Sequence, residues 1–194
     1  IKTIKGYFPP YLDQPDKVPY MVKEYLQYQI LDHLSKQGYT QYMCFIGGTS
    51  IRLVQGIDRF SEDMDFDIKK FSRDDFNKMT ESVLKFLNRL GIKSEFIDRE
   101  KDLNIQAFRR IISFPGFLYQ NKLSGHKDAK FYMKIECQYQ KQNYVTKNVV
   151  LNGCGMITNF VVPSEPVLCS MKLSALIDRG KGRDFYDVIF LLQR

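Results

Sequence analysis

The sequence predicts an α+β fold, a mixed β-sheet packed by helices with a helical unit at the C-terminal end. Three observations predict it. Helical and strand-like periodicities alternate through the first 91 residues, the next stretch to about residue 162 is rich in short β-type runs, and helical patterning returns from Pro166. Segregated strands and helices of this kind suit a mixed sheet better than a parallel α/β array.

The elements follow in order. Residues 17–38, KVPYMVKEYLQYQILDHLSKQG, carry Met21, Val22, Tyr25, Leu26, Ile30 and Leu34 at helical spacing, and Gly38 suits the C-terminal end. YMCFI (42–46) reads as a buried strand that runs into Gly47-Gly48. Residues 49–54 suit one or two helical turns closed by Gly56, and MDFDI (64–68) reads as a second strand. Ser72 opens the clearest helix. Asp75 completes a capping box, Phe76, Met79, Val83, Leu87 and Leu90 form its apolar stripe, and Gly91 stops it. IKSEFID (92–98), NIQAFRRIISF (104–114), KFYMKIECQYQ (130–140) and MITNFVV (156–162) are the next strand candidates, separated by turn signals such as FPG and LSGHKD. PVLCSMKLSALIDRG (166–180) and RDFYDVIFLLQR (183–194) are the closing helices. This divides the chain into a core at residues 1–162, including the N-terminal helix, and a helical segment at 163–194, expected to continue into further helices.

Composition excludes several classes. With 194 residues, 44% of them hydrophobic and 26% charged, the chain is long enough for a true core. No apolar run reaches the length of a membrane span, so no membrane partner is expected, and IKTIKGYFPP lacks the apolar stretch of a signal peptide. The chain starts at Ile1 without an initiator Met, as a trimmed chain or excised domain would. Cys44, Cys137, Cys154 and Cys169 form no CxxC pair, which argues against zinc and for a reducing, cytoplasmic setting. His33, on an amphipathic helix, and His126, in a polar turn, make no nucleophilic constellation. The balance of 29 basic against 22 acidic residues, net +7, favours a polyanionic partner such as a nucleotide or nucleic acid.

The chemistry concentrates at residues 46–68, IGGTSIRLVQGIDRFSEDMDFDI. A strand alternates its faces, so Met64, Phe66 and Ile68 share one side while Asp63, Asp65 and Asp67 share the other. Three like charges on one face repel and call for a counter-cation. A divalent metal supplies it, since Mg²⁺ takes a few carboxylates together with water and phosphate oxygens. Gly47 and Gly48 permit close approach of the backbone at a helix start, whose N–H groups can hold a phosphate, and Thr49 and Ser50 add hydroxyl donors. Gly-Gly before a helix is by itself an ordinary turn, and Asp-x-Asp by itself an ordinary solvated edge. Their combination points to function.

The run GGTSIRLVQGIDRFSEDMDF (47–66) resembles the signature of the AbiEii/AbiGii-type toxins of the DNA-polymerase-β-like nucleotidyltransferase superfamily, with residues 59–63, Arg-Phe-Ser-Glu-Asp, pointing to this branch. KLSALIDRGKGRDFYDVIFLL (172–192) resembles the family's later motif, a Lys on one helix and Arg-Asp-x-x-Asp on the next. The resemblance implies a nucleotidyltransferase fold with Asp63 and Asp65 as metal ligands and catalytic residues. It makes Glu136 of MKIECQY a third metal-binding and catalytic carboxylate. Gly47, Gly48, Thr49, Ser50, Arg52 and Lys172 become nucleotide-binding residues, and Lys172 and Asp184 catalytic ones. Arg52 and Arg59 also fit structural salt bridges, and Asp187 fits a tie to Arg or Lys. Asp67 shares the acidic face but lies beyond the motif.

The activity so implied is metal-dependent transfer of NMP from an NTP to an acceptor, with Mg²⁺ or Mn²⁺ as cofactor. The implied acceptor is RNA, in particular a tRNA 3′ end, and the implied setting a bacterial toxin–antitoxin or phage-defence pair whose antitoxin need not touch the toxin. Two alternatives stay open: a transferase acting on a small molecule or protein hydroxyl, and a degenerate, non-enzymatic RNA- or partner-binding module.

Overall fold

Helices α1 (Lys2–Lys5) and α2 (Val18–Lys36) open the chain. A computed structural model describes residues 1–97 and 107–194. Met21, Val22, Leu26, Ile30, Leu31 and Leu34 of α2 are fully or almost fully buried, as their spacing requires. Helix α2 ends just before Gly38, whose φ of 78° is the left-handed conformation that glycine supplies without steric penalty.

Strand β1 (Met43–Ile46) then leads into a short helix α3 (Gly47–Ser50), prolonged by a π-helical turn over Ile51–Gln55 and closed by Gly56. Strand β2 (Met64–Ile68) and helix α4 (Arg73–Arg89) follow. The capping box of α4 is complete: the Asp75 amide donates to Ser72 Oγ at 3.1 Å and the Ser72 amide to Asp75 Oδ2 at 2.9 Å. Phe76, Met79, Val83 and Leu87 are buried. Leu90 is not, because the helix ends at Arg89 and turns Leu90 outward.

The remaining strands are β3 (Glu95–Phe96), β4 (Phe108–Ser113), β5 (Tyr132–Gln138), β6 (Thr146–Gly153) and β7 (Met156–Pro163), with a turn of helix α5 (Phe117–Gln120) between β4 and β5. Asp98 and residues 104–106 of the expected strand runs lie outside the described residues. Helices α6 (Glu165–Arg179) and α7 (Gly182–Leu192) close the chain.

The seven described strands form one mixed sheet, in the order β3-β4-β5-β2-β1-β7-β6. Strand β2 pairs antiparallel with β1 and parallel with β5, placing the acidic segment at the sheet's centre. Among the described strands, β6 is the one the sequence pattern does not announce. It is an edge strand with one buried residue, and it pairs with β7 through the two-residue turn Cys154-Gly155, both at positive φ. That is the hairpin geometry matched to strand twist.

Burial separates the sheet's two faces. Met64, Phe66, Ile68, Met133, Ile135 and Cys137 join the buried side chains of α2 and α4 in one core. Phe45, Phe66 and Phe160 form its aromatic centre, with ring centroids 5.4 to 6.3 Å apart. The opposite face carries the polar residues of β2 and β5. A second, smaller apolar cluster of Ile51, Ile57, Leu168 and Leu191 seats α6 and α7 beside the π-helical turn.

Candidate active site

The sheet register assembles the acidic centre. Asp65 on β2 lies directly opposite Glu136 on β5, and Ile46 at the end of β1 lies opposite Asp65 on the other side. Asp63 immediately precedes β2. Gly47 follows Ile46 with φ 77°, and a Cβ there would sit 2.3 Å from Asp65 Oδ2. The chain therefore requires glycine at residue 47 twice over, for its backbone conformation and for the approach of the carboxylate. Gly48 is similarly crowded by Arg59 and Ser61, each 2.9 Å from a Cβ built at that position.

These groups open onto a cavity of about 830 Å³ lined, among the described residues, by seven basic and five acidic side chains. A mixed lining with an excess of cations suits a polyphosphate accompanied by a metal. Asp65 is the most perturbed acid there. Burial pushes its carboxyl up to about 6, the nearby Lys134 ammonium opposes this, and the charges of Asp63 and Glu136 add to it. Lys134 of β5 is held within 3.0 Å of Asp63 Oδ2 and 3.5 Å of Glu136 Oε2. Arg109, opposite Glu136 on β4, holds the same Glu136 Oε2 at 2.8 Å. Burial works against the Lys134 charge, yet Asp63 and Glu136 raise its pKa.

A second constellation sits where α6 and α7 meet the cavity. Asp184 and Asp187, one helical turn apart on α7, are completely buried. Arg179 grips Asp184 through two hydrogen bonds of 2.7 Å. Lys172 lies 2.9 Å from Asp187 and 3.4 Å from Asp184. Arg59 reaches across from the loop before β2 and donates Nε to Asp187 Oδ1 at 2.7 Å, with a second bond from Nη2 to Oδ2. Burial pushes the Asp184 carboxyl up, but Arg179 and Lys172 outweigh it and hold it below the ordinary range. Three cations against two acids leave this network net positive, with Arg59, Lys172 and Arg179 lining the cavity.

The geometry sorts the sequence expectations. Gly47, Gly48, Asp63, Asp65, Glu136 and Lys172 all line one cavity. Thr49, Ser50 and Arg52, expected with them as nucleotide-binding residues, are absent from that lining. Thr49 is buried, and its hydroxyl donates to the Asp63 carbonyl oxygen and accepts from the Ser61 hydroxyl. Ser50 is buried, and its hydroxyl has no hydrogen-bond partner among the described residues. Arg52 points away to a buried ion pair with Glu24 at 2.8 Å and to the Ile57 carbonyl at 2.8 Å. Asp184, expected as a catalytic residue, is hydrogen-bonded to Lys172 and Arg179 and is absent from the cavity lining. Asp67 accepts hydrogen bonds from the Gln140 amide at 2.9 Å and from the Tyr144 hydroxyl, and so pins residues 139–145 to the sheet. Lys134 and Arg109 are absent from the sequence-based set. The signal for Lys134 was present in MKIECQY, where it shares a strand face with Glu136.

The donor set fits a hard divalent cation, since the acidic centre offers only carboxylate oxygens and already draws in the Lys134 ammonium. Among the described residues, no three acid, His or Cys side chains converge closely enough to cage a metal unaided. The fit is to an ion that arrives with phosphate oxygens of its own.

Solved structures of similar fold support the same architecture. JHP933 from Helicobacter pylori superposes with a TM-score of 0.62 at 22% identity, over 90% of this chain and 66% of that one. A second H. pylori structure matches at the same TM-score and identity, with 68% of its length covered. An antigenic nucleotidyltransferase-like protein from Paracoccidioides brasiliensis gives 0.51 at 15% identity, over 86% of this chain and 75% of that one. This chain thus spans about two thirds of the H. pylori proteins. No curated protein sequence matches it. No helix among the described residues is long and apolar enough to cross a membrane. The family model for the nucleotidyl transferase AbiEii toxin of type IV toxin–antitoxin systems matches residues 29–194, taking in the Gly47-Gly48 turn, the Asp63–Asp65 segment, Glu136 and the Lys172–Asp187 network, and the chain belongs to that family.

Proposed function

We propose that the protein is the toxin of a type IV toxin–antitoxin pair and transfers NMP from an NTP to an RNA acceptor, a tRNA 3′ end in particular, using Mg²⁺ or Mn²⁺. The observation that carries the reading is the pairing of Asp65 with Glu136, against Gly47, at the edge of a cation-rich cavity. In this reading Asp63, Asp65 and Glu136 are the carboxylates that hold the cation. When bound, the cation offsets charge on the attacking and leaving oxygens. Lys172 and Arg179, held in place by Asp184 and Asp187, neutralise the triphosphate, and the backbone at Gly47-Gly48 lies against it. The acceptor hydroxyl oxygen bonds to the α-phosphorus as the bond to pyrophosphate breaks, and a cavity carboxylate accepts the hydroxyl proton. Gln138, Gln140 and Gln142, on the cavity wall pinned by Asp67, offer amide donors and acceptors to a base.

The net charge of +7 favours an RNA acceptor, because phosphate contacts provide sequence-independent, salt-sensitive affinity. A cognate antitoxin acts in the same cytoplasm without having to touch the toxin. The test incubates the purified protein with total RNA and each of the four α-labelled NTPs, with Mg²⁺ and with Mn²⁺. Label in the tRNA fraction, reduced at high salt, is the expected result. No label on RNA with any NTP overturns the RNA assignment, and label on protein or a small molecule instead moves the acceptor to that class.

A further inference from the structure

Among the described residues, Lys134 is the cation that bridges two carboxylates of the acidic centre, and the catalytic reading leaves it without a task. It stands on β5 two residues before Glu136 and so on the same strand face. Its Nζ lies 3.0 Å from Asp63, just before β2, and 3.5 Å from Glu136 on β5, between the two acids. The side chain is one quarter exposed, enough to swing toward the cavity without dismantling the core behind it. Lys172 and Arg179 line the same cavity.

We propose that Lys134 is a built-in counter-cation that keeps free divalent metal out of the acidic centre and yields only to a metal that arrives with nucleotide. The inference rests on the nucleotidyltransferase reading of the site. A free M²⁺ entering between Asp63 and Glu136 must expel an ammonium from both acids and leave it beside a dication, in a partly desolvated space where like charges repel strongly. A metal–NTP complex changes that balance, because its phosphate oxygens receive the displaced ammonium. Asp63 and Glu136 pass to the metal, Lys134 passes to the phosphates, and each charge retains a partner. Lys134 is thus a positioning residue that orders binding: nucleotide and metal enter together.

The experiment titrates Mn²⁺ by electron paramagnetic resonance into the wild type, Lys134→Met and Lys134→Arg, with and without each of the four NTPs. Thermal melts confirm that all three are folded. The wild type should bind Mn²⁺ alone weakly and Mn²⁺ with its nucleotide much more tightly. Lys134→Met should bind Mn²⁺ alone at least about tenfold more tightly than the wild type, as loss of one adjacent charge predicts, and should lose most of the nucleotide's enhancement. Lys134→Arg should behave like the wild type. If Lys134→Met and the wild type bind Mn²⁺ alone equally, while both bind Mn²⁺ with nucleotide, the counter-cation role is overturned and the transferase reading stands. If the wild type binds Mn²⁺ neither alone nor with any NTP, both are overturned.

Discussion

Two charged assemblies face the same cavity, and they are built on opposite terms. The C-terminal network of Arg59, Lys172, Arg179, Asp184 and Asp187 has both acids completely buried and gripped by cations. The acidic centre leaves Asp63, Lys134 and Glu136 part-exposed, with Asp65 perturbed by burial and by its acidic neighbours. Satisfied buried charges make a scaffold, whereas strained ones store the affinity that a ligand later uses. The C-terminal network therefore holds shape, and the acidic centre awaits a partner.

The hardest way to break this contrast is to neutralise the acidic centre. Asp63→Asn or Asp65→Asn should lower NMP transfer by about a thousandfold or more, judged against losses on removing groups that act directly on transition-state charge. The variants should keep a wild-type circular dichroism spectrum. A folded Asp65→Asn protein with wild-type rates would remove that residue from the chemistry.

Cutting the scaffold should do the reverse. Asp187→Ala leaves Arg59 and Lys172 short of their shared acid and should destabilise the fold by about 3–5 kcal/mol in urea unfolding. Unfolding within 1 kcal/mol of the wild type would mean that the buried network is not holding α7 to the loop before β2.

Stability should change in the opposite direction at Asp65. In the folded protein this carboxyl keeps its proton to about pH 6, while its ordinary value is 3.8. The native state binds the extra proton, so stability is lost as pH rises between these values and stays lost above them. Without metal, Asp65→Asn should therefore be more stable than the wild type at pH 7, by about 1–3 kcal/mol. The difference should shrink toward zero below pH 4. An Asn variant less stable at neutral pH would place Asp65 with the scaffold.

The strand logic of β2 was legible because alternation has a single consequence: once Met64, Phe66 and Ile68 face a core, Asp63, Asp65 and Asp67 cannot. The two roles of Asp184 and Asp187 were only half legible. Helical spacing places them together, but which acid meets Arg59 from 128 residues away depends on tertiary packing. The placement of Thr49 and Ser50 was hidden for a related reason. The turn after Gly47 rotates both side chains into the protein, where Thr49 secures the segment before β2 instead of facing the cavity. Strand β6 escaped notice because an edge strand needs little apolar alternation. Lys134 was overlooked because its partner Asp63 lies 71 residues earlier, just before β2, and is brought beside it only by the parallel pairing of β2 with β5.

The smallest expected effect distinguishes the third aspartate from its neighbours. Asp67→Asn should retain transfer within about fivefold and lower stability by about 1–2 kcal/mol, since an amide oxygen still accepts a hydrogen bond but without charge assistance. Loss equal to that of Asp63→Asn would join Asp67 to the acidic centre.

The Asp67 tie has a consequence of its own. By holding Gln140 and Tyr144 before any ligand arrives, it removes conformational freedom from residues 139–145 in advance. Fixing a free backbone residue takes about 1–2 kcal/mol of entropy, so a loose segment here would subtract heavily from nucleotide affinity. The fold meets this entropy cost while it forms. One wall of the cavity then works as a rigid template, and its choice among nucleotides rests on fit to a shape already present.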